Sequence, residues 1–138
     1  MTEAELIRKA VSLLLETSYY QHHRDFKHLH SLFDGTRLDM QVKMTFSSQE
    51  QELGIFVSER GQIIFEKITQ DLDLAAYYIV YHVIDKVTRD SYVNNSLSVE
   101  KAFYHQRNAT AKAHLALAFH QIGAPYLQYF KQSEKTFY

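Results

Sequence analysis

Polar and apolar residues alternate strictly between residues 37 and 46. The apolar positions are the even-numbered ones, namely Leu38, Met40, Val42, Met44 and Phe46. A two-residue period places these side chains on one face of a β-strand, and a helix cannot gather them on one side. The segment therefore predicts a half-buried strand whose even-numbered side chains face a core.

Two further β-rich runs follow in residues 53–68. LGIFVS and QIIFEKI flank the tripeptide Glu59, Arg60 and Gly61, whose glycine is available for the positive φ angle of a hairpin turn. The simplest arrangement is an antiparallel three-stranded sheet across residues 37–68, connected as a meander.

Helical periodicity precedes this sheet. Thr2 stands three residues before Glu5, which is the spacing of an N-terminal capping box. The apolar residues that follow predict an amphipathic helix from about Glu3 to Ser18. Residues 19–33 show a weaker helical periodicity, which is compatible with either a helix or a loop.

Helical periodicity also follows the sheet. Thr69 or Asp71 can cap a helix whose apolar stripe runs from Leu72 to Val87 and should lie on the sheet. Ser98 can cap a last long helix, and the sequence Gly-Ala-Pro at residues 123–125 ends it before an aromatic tail.

The order of elements predicts an α+β fold in a single domain, residues 1–138. We expect an N-terminal helix, a three-stranded antiparallel sheet, two long helices packed on the sheet and a short C-terminal helix or tail.

The chain contains no cysteine, which excludes disulfides and thiolate zinc sites. Its N-terminus lacks the pattern of a signal peptide, and no segment reaches transmembrane length, so we expect a cytoplasmic protein that does not bind membranes. The formal net charge of −1 supplies no basic field for nucleic acid, and we expect none to bind.

One motif is compatible with nuclease chemistry. In RNATAKAH, Arg107 and His114 are seven residues apart and share a helix face, as in a class of all-helical ribonucleases. Three predicted strands and the near-neutral charge count against that activity, and an ordinary solvated helix face is the alternative interpretation. A HEPN-like ribonuclease, or the antitoxin partner of one, is therefore the second functional hypothesis.

A histidine-rich segment, HHRDFKHLH, suggests a metal site less strongly. His23 and His30 would share a helix face, but a zinc site needs three or four ligands with supporting partners. Asp71 and Asp73 are paired carboxylates, yet the start of a helix favours acidic residues for dipole reasons alone. We expect no metal, no cofactor and no enzymatic activity.

The segment VSERGQIIFEKITQDLDLAAYYIVYHVIDKVTRDSYV, followed by FYHQRNATAKAHLAL, resembles the immunity protein 63 family of polymorphic-toxin systems. The resemblance covers roughly residues 53–121. It rests on a hairpin, a helix start and an aromatic helix, whose matching residues are Glu59, Arg60 and Gly61, then Thr69, Asp71 and Asp73, then Tyr77 and Tyr78.

This resemblance implies a bacterial immunity protein that binds a cognate toxin domain in a one-to-one complex. The toxin would belong to a system such as contact-dependent growth inhibition. Specificity in such complexes comes from charge complementarity, and affinity from a few anchor residues.

We expect the partner-binding residues to be charged groups at the turns and at the helix start, namely Glu50, Glu52, Glu59, Arg60, Asp71 and Asp73. Strand register decides whether the two turns lie at the same end of the sheet, and loop solubility is the alternative explanation of these charges. An interaction module without a toxin is the third hypothesis.

Overall fold

The computed structural model of the chain describes residues 1–34, 41–94 and 101–133, except for the side chains of residues 41, 91–94 and 101–108. The elements are α1 (Glu3–Leu14), α2 (His22–Asp34), β1 (Gln41–Ser47), β2 (Glu52–Glu59), β3 (Gln62–Thr69), α3 (Leu72–Asn94), α4 (Lys101–Ile122) and α5 (Tyr126–Ser133). The predicted α+β class is confirmed. Leu38, Met40 and the proposed cap Ser98 lie outside the described residues.

The sheet is the predicted antiparallel meander, with the strand order β1-β2-β3. Val42 and Met44 are buried and Phe46 is half-buried, whereas Lys43 and Thr45 are exposed, as the alternation predicts. The β2–β3 turn uses left-handed backbone at two consecutive residues, with φ of 52° at Arg60 and 80° at Gly61. Two consecutive positive φ angles suit the right-handed twist of the flanking strands.

Helix α1 begins as predicted but ends earlier. The Thr2 hydroxyl accepts a hydrogen bond from the Glu5 amide at 3.1 Å. The helix stops at Leu14 rather than near Ser18, because the amides of Glu16 and Thr17 bond to the carbonyls of Leu13 and Leu14 in tighter turns. The Thr17 hydroxyl also donates to the Leu14 carbonyl at 2.8 Å.

The segment left open by the sequence is mostly helical, and a buried carboxylate fixes where α2 begins. Asp25 is 2 % exposed and accepts the Gln21 amide at 2.8 Å. It also accepts two bonds from the Arg24 guanidinium, at 2.7 and 2.8 Å. Burial raises the pKa of Asp25, but the bonds from Arg24 and from the Gln21 amide outweigh it and hold that pKa below its usual value.

The middle of helix α3, residues 75–84, is enclosed on all sides. Every residue from Ala75 to Ile84 is buried. The helix packs against α1, α2, α4 and α5 and also contacts β3. The prediction of one stripe facing the sheet was therefore too narrow, because a helix surrounded by other helices is apolar all round.

Helix α5 docks onto α3 and α4 through aromatic side chains. The rings of Phe119 and Phe130 stack with centroids 5.3 Å apart, and the Tyr77 and Tyr129 rings meet edge to face at 5.7 Å. The Tyr77 hydroxyl lies 2.5 Å from the Ser133 hydroxyl. Gly123, with φ of 88°, provides the predicted stop between α4 and α5.

Candidate protein-binding site

The sheet has an inner face toward the helices and an outer face toward solvent. The inner face carries the buried residues Val42, Met44, Ile55 and Val57. Residues directly opposite each other in antiparallel strands share a face, so the register gives the outer face in rows. From the β1–β2 turn to the β2–β3 turn, the rows are Ser47 and Glu52, then Thr45, Gly54 and Ile68, then Lys43, Phe56 and Glu66, then Ser58 and Ile63.

The half-buried Phe56 ring lies close to Gly54 on the outer face. A Cβ atom at Gly54 would come within 3.0 Å of the Phe56 ring and of the Thr45 hydroxyl. Glycine at this position therefore allows the ring to cover the middle of the sheet. The outer face is a shallow surface with an apolar centre and charged residues, Lys43 and Glu66, beside it.

Strand β3 exposes more apolar side chain than any other strand of the sheet. Ile63, Ile64 and Ile68 are 62 %, 54 % and 54 % exposed, and Lys67, on the inner face, is exposed as well. Phe65 holds the strand to the helices, since its ring lies 6.0 Å from that of Tyr78. The run of three apolar residues at 63–65 does not alternate as a half-buried strand should, but such a run is equally typical of a strand buried on both faces, so the sequence alone does not report this exposure.

The two hairpin turns lie at opposite ends of the sheet. The β1–β2 turn, with Glu50, is at the end where β3 runs into α3, whereas Glu59 and Arg60 are at the other end. Strands of this length span roughly 25 Å. The residues predicted to bind a partner thus form two separate groups.

Glu50, Glu52, Asp71 and Asp73 form the first group, which we call the acidic end. The Gln70 side-chain amide links its members, since it donates to the Glu50 carbonyl at 3.4 Å and to the Glu52 carboxylate at 3.1 Å. Glu50 and Asp71 are exposed, and Glu52 and Asp73 are half-buried.

Asp71 and Asp73 also have roles within the fold. The Asp71 carboxylate accepts the amides of Asp73 and Leu74, at 2.9 and 3.3 Å, and so caps α3 as predicted. The Asp73 carboxylate accepts a hydrogen bond from the Tyr126 hydroxyl at 2.7 Å, and this bond connects α5 to the start of α3. Burial and this bond raise the pKa of Tyr126.

We expect Tyr126→Phe to lower the free energy of unfolding by about 1.5 kcal/mol, because it removes a hydrogen bond to a charged acceptor. Tyr129→Phe is the matched control on the same helix, since the Tyr129 hydroxyl makes no hydrogen bond within the described part of the chain. It should cost under about 0.5 kcal/mol. Urea unfolding followed by circular dichroism measures both, and equal losses would show that the bond to Asp73 does not hold α5.

Three of the four histidines of α2 have separate partners, and the fourth, His23, is exposed. His22 lies 2.8 Å from the Tyr20 hydroxyl, and His30 lies 2.9 Å from the Asp34 carboxylate. His28 lies 3.9 Å from Asp90 on α3, and burial lowers its pKa. In residues 1–34, 41–94 and 101–133, no three histidine or acidic side chains are arranged to hold a metal ion.

The possible nuclease pair is only partly described. Arg107 lies in α4, but its side chain is outside the described part of the structure. His114 lies in the same helix, half-buried, with its ring 5.0 Å from that of Tyr19. The contact gives His114 a packing role between α4 and the loop before α2.

These features define a class, namely an α+β domain with helices on one face of a small sheet, in which the described residues leave the other face and the β3 edge uncovered. Comparison with protein-family models, with curated proteins and with solved structures found no match. Among the helices of the described segments, none has both the length and the apolar character needed to cross a membrane.

Proposed function

We propose that this chain is a cytoplasmic immunity protein, which binds and neutralises a cognate toxin domain of a contact-dependent growth inhibition system in a one-to-one complex. The resemblance of residues 53–121 to the immunity protein 63 family supports this proposal. The resembling segment contains β3, its hairpin turn and the start of α3, which border the exposed sheet.

The observation that carries the proposal is the apolar exposure of β3. Ile63, Ile64 and Ile68 are each more than half exposed along one strand. Single exposed apolar residues are common, but grouped ones bordered by polar residues mark interaction surfaces. Phe56, on the adjacent strand, extends this apolar area, and aromatic residues are favoured in the buried centre of interfaces.

The acidic end adds charge complementarity. Glu50, Glu52 and Asp71 project at the end of the sheet nearest Ile68. A partner with lysine or arginine at the matching position would be steered toward this end, and exposed charges act mainly on the association rate. The toxin domain that the chain neutralises is therefore expected to carry a basic patch beside its apolar contact area.

Co-expression with the toxin domain encoded by the neighbouring gene tests this proposal. We expect the chain to protect cells from that toxin and from no unrelated toxin, and to copurify with it. Reversing Glu50 and Glu52 to lysine should slow association by about tenfold at low ionic strength, and the difference should shrink at high salt because screening acts over about 8 Å in physiological buffer.

Glu16→Lys is the control for each single reversal, Glu50→Lys or Glu52→Lys, because it makes the same change of charge at an exposed residue in the turn after α1, away from the sheet in sequence. It should leave the association rate unchanged within about twofold. Growth arrest in cells with abundant folded chain, and no complex on purification, would contradict the proposed function.

A further inference from the structure

Strand β3 is an open edge of the sheet. It pairs with β2 on one side, and within residues 1–34, 41–94 and 101–133 no strand pairs with its other side. Glu66, Lys67 and Ile68 are exposed in succession, so both faces of the strand are accessible. An edge of this kind presents unpaired backbone amides and carbonyls that can pair with another strand.

A bulge limits which part of the edge is regular. Val57 lies opposite Phe65 and Ser58 opposite Ile63, so Ile64 is the extra residue in β3. A bulge disrupts the ladder locally and bends the strand. The regular part of the edge is therefore residues 65–69.

The charges of this part alternate between the two faces. Glu66 lies on the outer face opposite Phe56, and Lys67 lies on the inner face opposite Ile55. A strand added beside β3 places each of its side chains on the same face as the residue it meets. The matching strand therefore carries a basic residue opposite Glu66 and an acidic residue opposite Lys67.

A second copy of β3 cannot supply this match. Two identical strands that pair antiparallel at a sheet edge are related by a two-fold axis perpendicular to the sheet, so outer-face residues meet only outer-face residues. Within residues 65–69, Glu66 would then meet Glu66 or Ile68 of the copy, never Lys67. The inward charge of Lys67 on an edge strand is also a recognised obstacle to edge pairing between copies.

We propose that β3 accepts an extended strand from a different protein, antiparallel to residues 65–69, in which an acidic residue is followed directly by a basic one. This inference rests on the proposed function in naming the toxin domain as the source of that strand. The acidic residue pairs with Lys67, the basic residue pairs with Glu66, and an aliphatic residue before them covers Ile68. The antiparallel direction is chosen because its hydrogen bonds are the more stable per residue.

A synthetic peptide tests the strand pairing without the toxin. The probe is an end-blocked peptide with the core Val-Glu-Lys-Val, added to the full chain and followed by amide hydrogen exchange. We expect slowed exchange at those amides of residues 65–69 that point away from β2, since the alternate amides already pair with β2, and no change in β1. Glu66→Lys should weaken binding by about tenfold, since it turns an attractive cross-strand pair into a repulsive one. Glu16→Lys is the matched control, because it makes the same charge reversal at an exposed residue outside the sheet and should leave peptide binding unchanged.

Several outcomes separate this inference from the proposed function. Peptide binding that protects another region, or no protection at all, would overturn the strand pairing. The same conclusion would follow from a dimer of the chain alone whose β3 amides are protected. A toxin complex with unprotected β3 amides would overturn the toxin strand as occupant and keep the immunity function. Peptide protection at residues 65–69 without any toxin complex would keep the strand pairing and overturn the immunity function.

Discussion

Met44→Asp is expected to unfold the protein. The Met44 side chain is 1 % exposed on the inner face of the sheet, directly opposite Ile55, which is fully buried. The substitution loses the burial of the methionine, worth about 2 kcal/mol, and places a carboxylate in an apolar site at a cost of several kcal/mol more. The free energy of unfolding of a domain is only about 5–15 kcal/mol, so the sum removes most or all of it.

Lys43→Asp provides the matched control one residue earlier. Lys43 is exposed on the outer face, so the same aspartate there remains in water and should change the free energy of unfolding by less than about 0.5 kcal/mol. Thermal unfolding followed by circular dichroism distinguishes the two variants. A folded Met44→Asp protein with the unfolding midpoint of the parent would show that β1 does not face the core as described.

Asp25→Asn is expected to cost about 2 kcal/mol of stability at neutral pH. The carboxylate is nearly inaccessible, and it accepts the Gln21 amide and both bonds of the Arg24 guanidinium. The asparagine amide has only one acceptor oxygen, so it can accept fewer of these bonds. Its NH2 group would also face the N–H donors of Gln21 or Arg24. The loss stays below that of a fully buried ion pair because the Arg24 side chain is 54 % exposed and can return to water.

The same substitution should flatten the acid limb of the stability curve. The pKa of Asp25 is lower in the folded chain than in the unfolded one, so the folded state binds fewer protons. Its contribution is complete above the unfolded value, about 4, and is lost as the pH falls through the lower folded pKa. Urea unfolding from pH 7 down to pH 3 should show the parent and Asp25→Asn curves converging at low pH. Glu16→Gln, at an exposed carboxylate, should show the same dependence of unfolding free energy on pH as the parent. A difference in unfolding free energy between the parent and Asp25→Asn that stays constant with pH would contradict the stabilising role of the Asp25 carboxylate.

The parts of the fold that were predictable are those in which local pattern and burial agree. The alternation of polar and apolar residues around Val42 and Met44 predicted β1 correctly, because that strand has one exposed and one buried face. Thr2 and Gly123 fixed the start of α1 and the end of α4 through local hydrogen bonds and backbone conformation. The start of α2 was not predictable, because it depends on the burial of Asp25, which no local pattern reports.

The candidate site was predictable only in part, since it depends on strand order and register. The sequence contains the charges at Glu50 and Arg60, and the predicted meander already implies that these turns lie at opposite ends of the sheet, but the register is needed to show which outer-face residues lie beside each turn. The position of Ile68 at an open edge follows from the order β1-β2-β3, whereas QIIFEKI as a sequence suits a central strand equally well. Asp73 was expected at the interface, and its bond to Tyr126, which is distant in sequence, became visible only when α5 was placed.

Titration of the purified toxin domain with the purified chain tests the central claim most directly. The toxin's activity on its own substrate is measured as increasing amounts of the chain are added. The proposed immunity function predicts a linear fall in activity that ends at one chain per toxin domain. The proposed strand pairing predicts in addition that Glu66→Lys requires a higher concentration for the same inhibition. Full toxin activity in the presence of excess folded chain would contradict the immunity function.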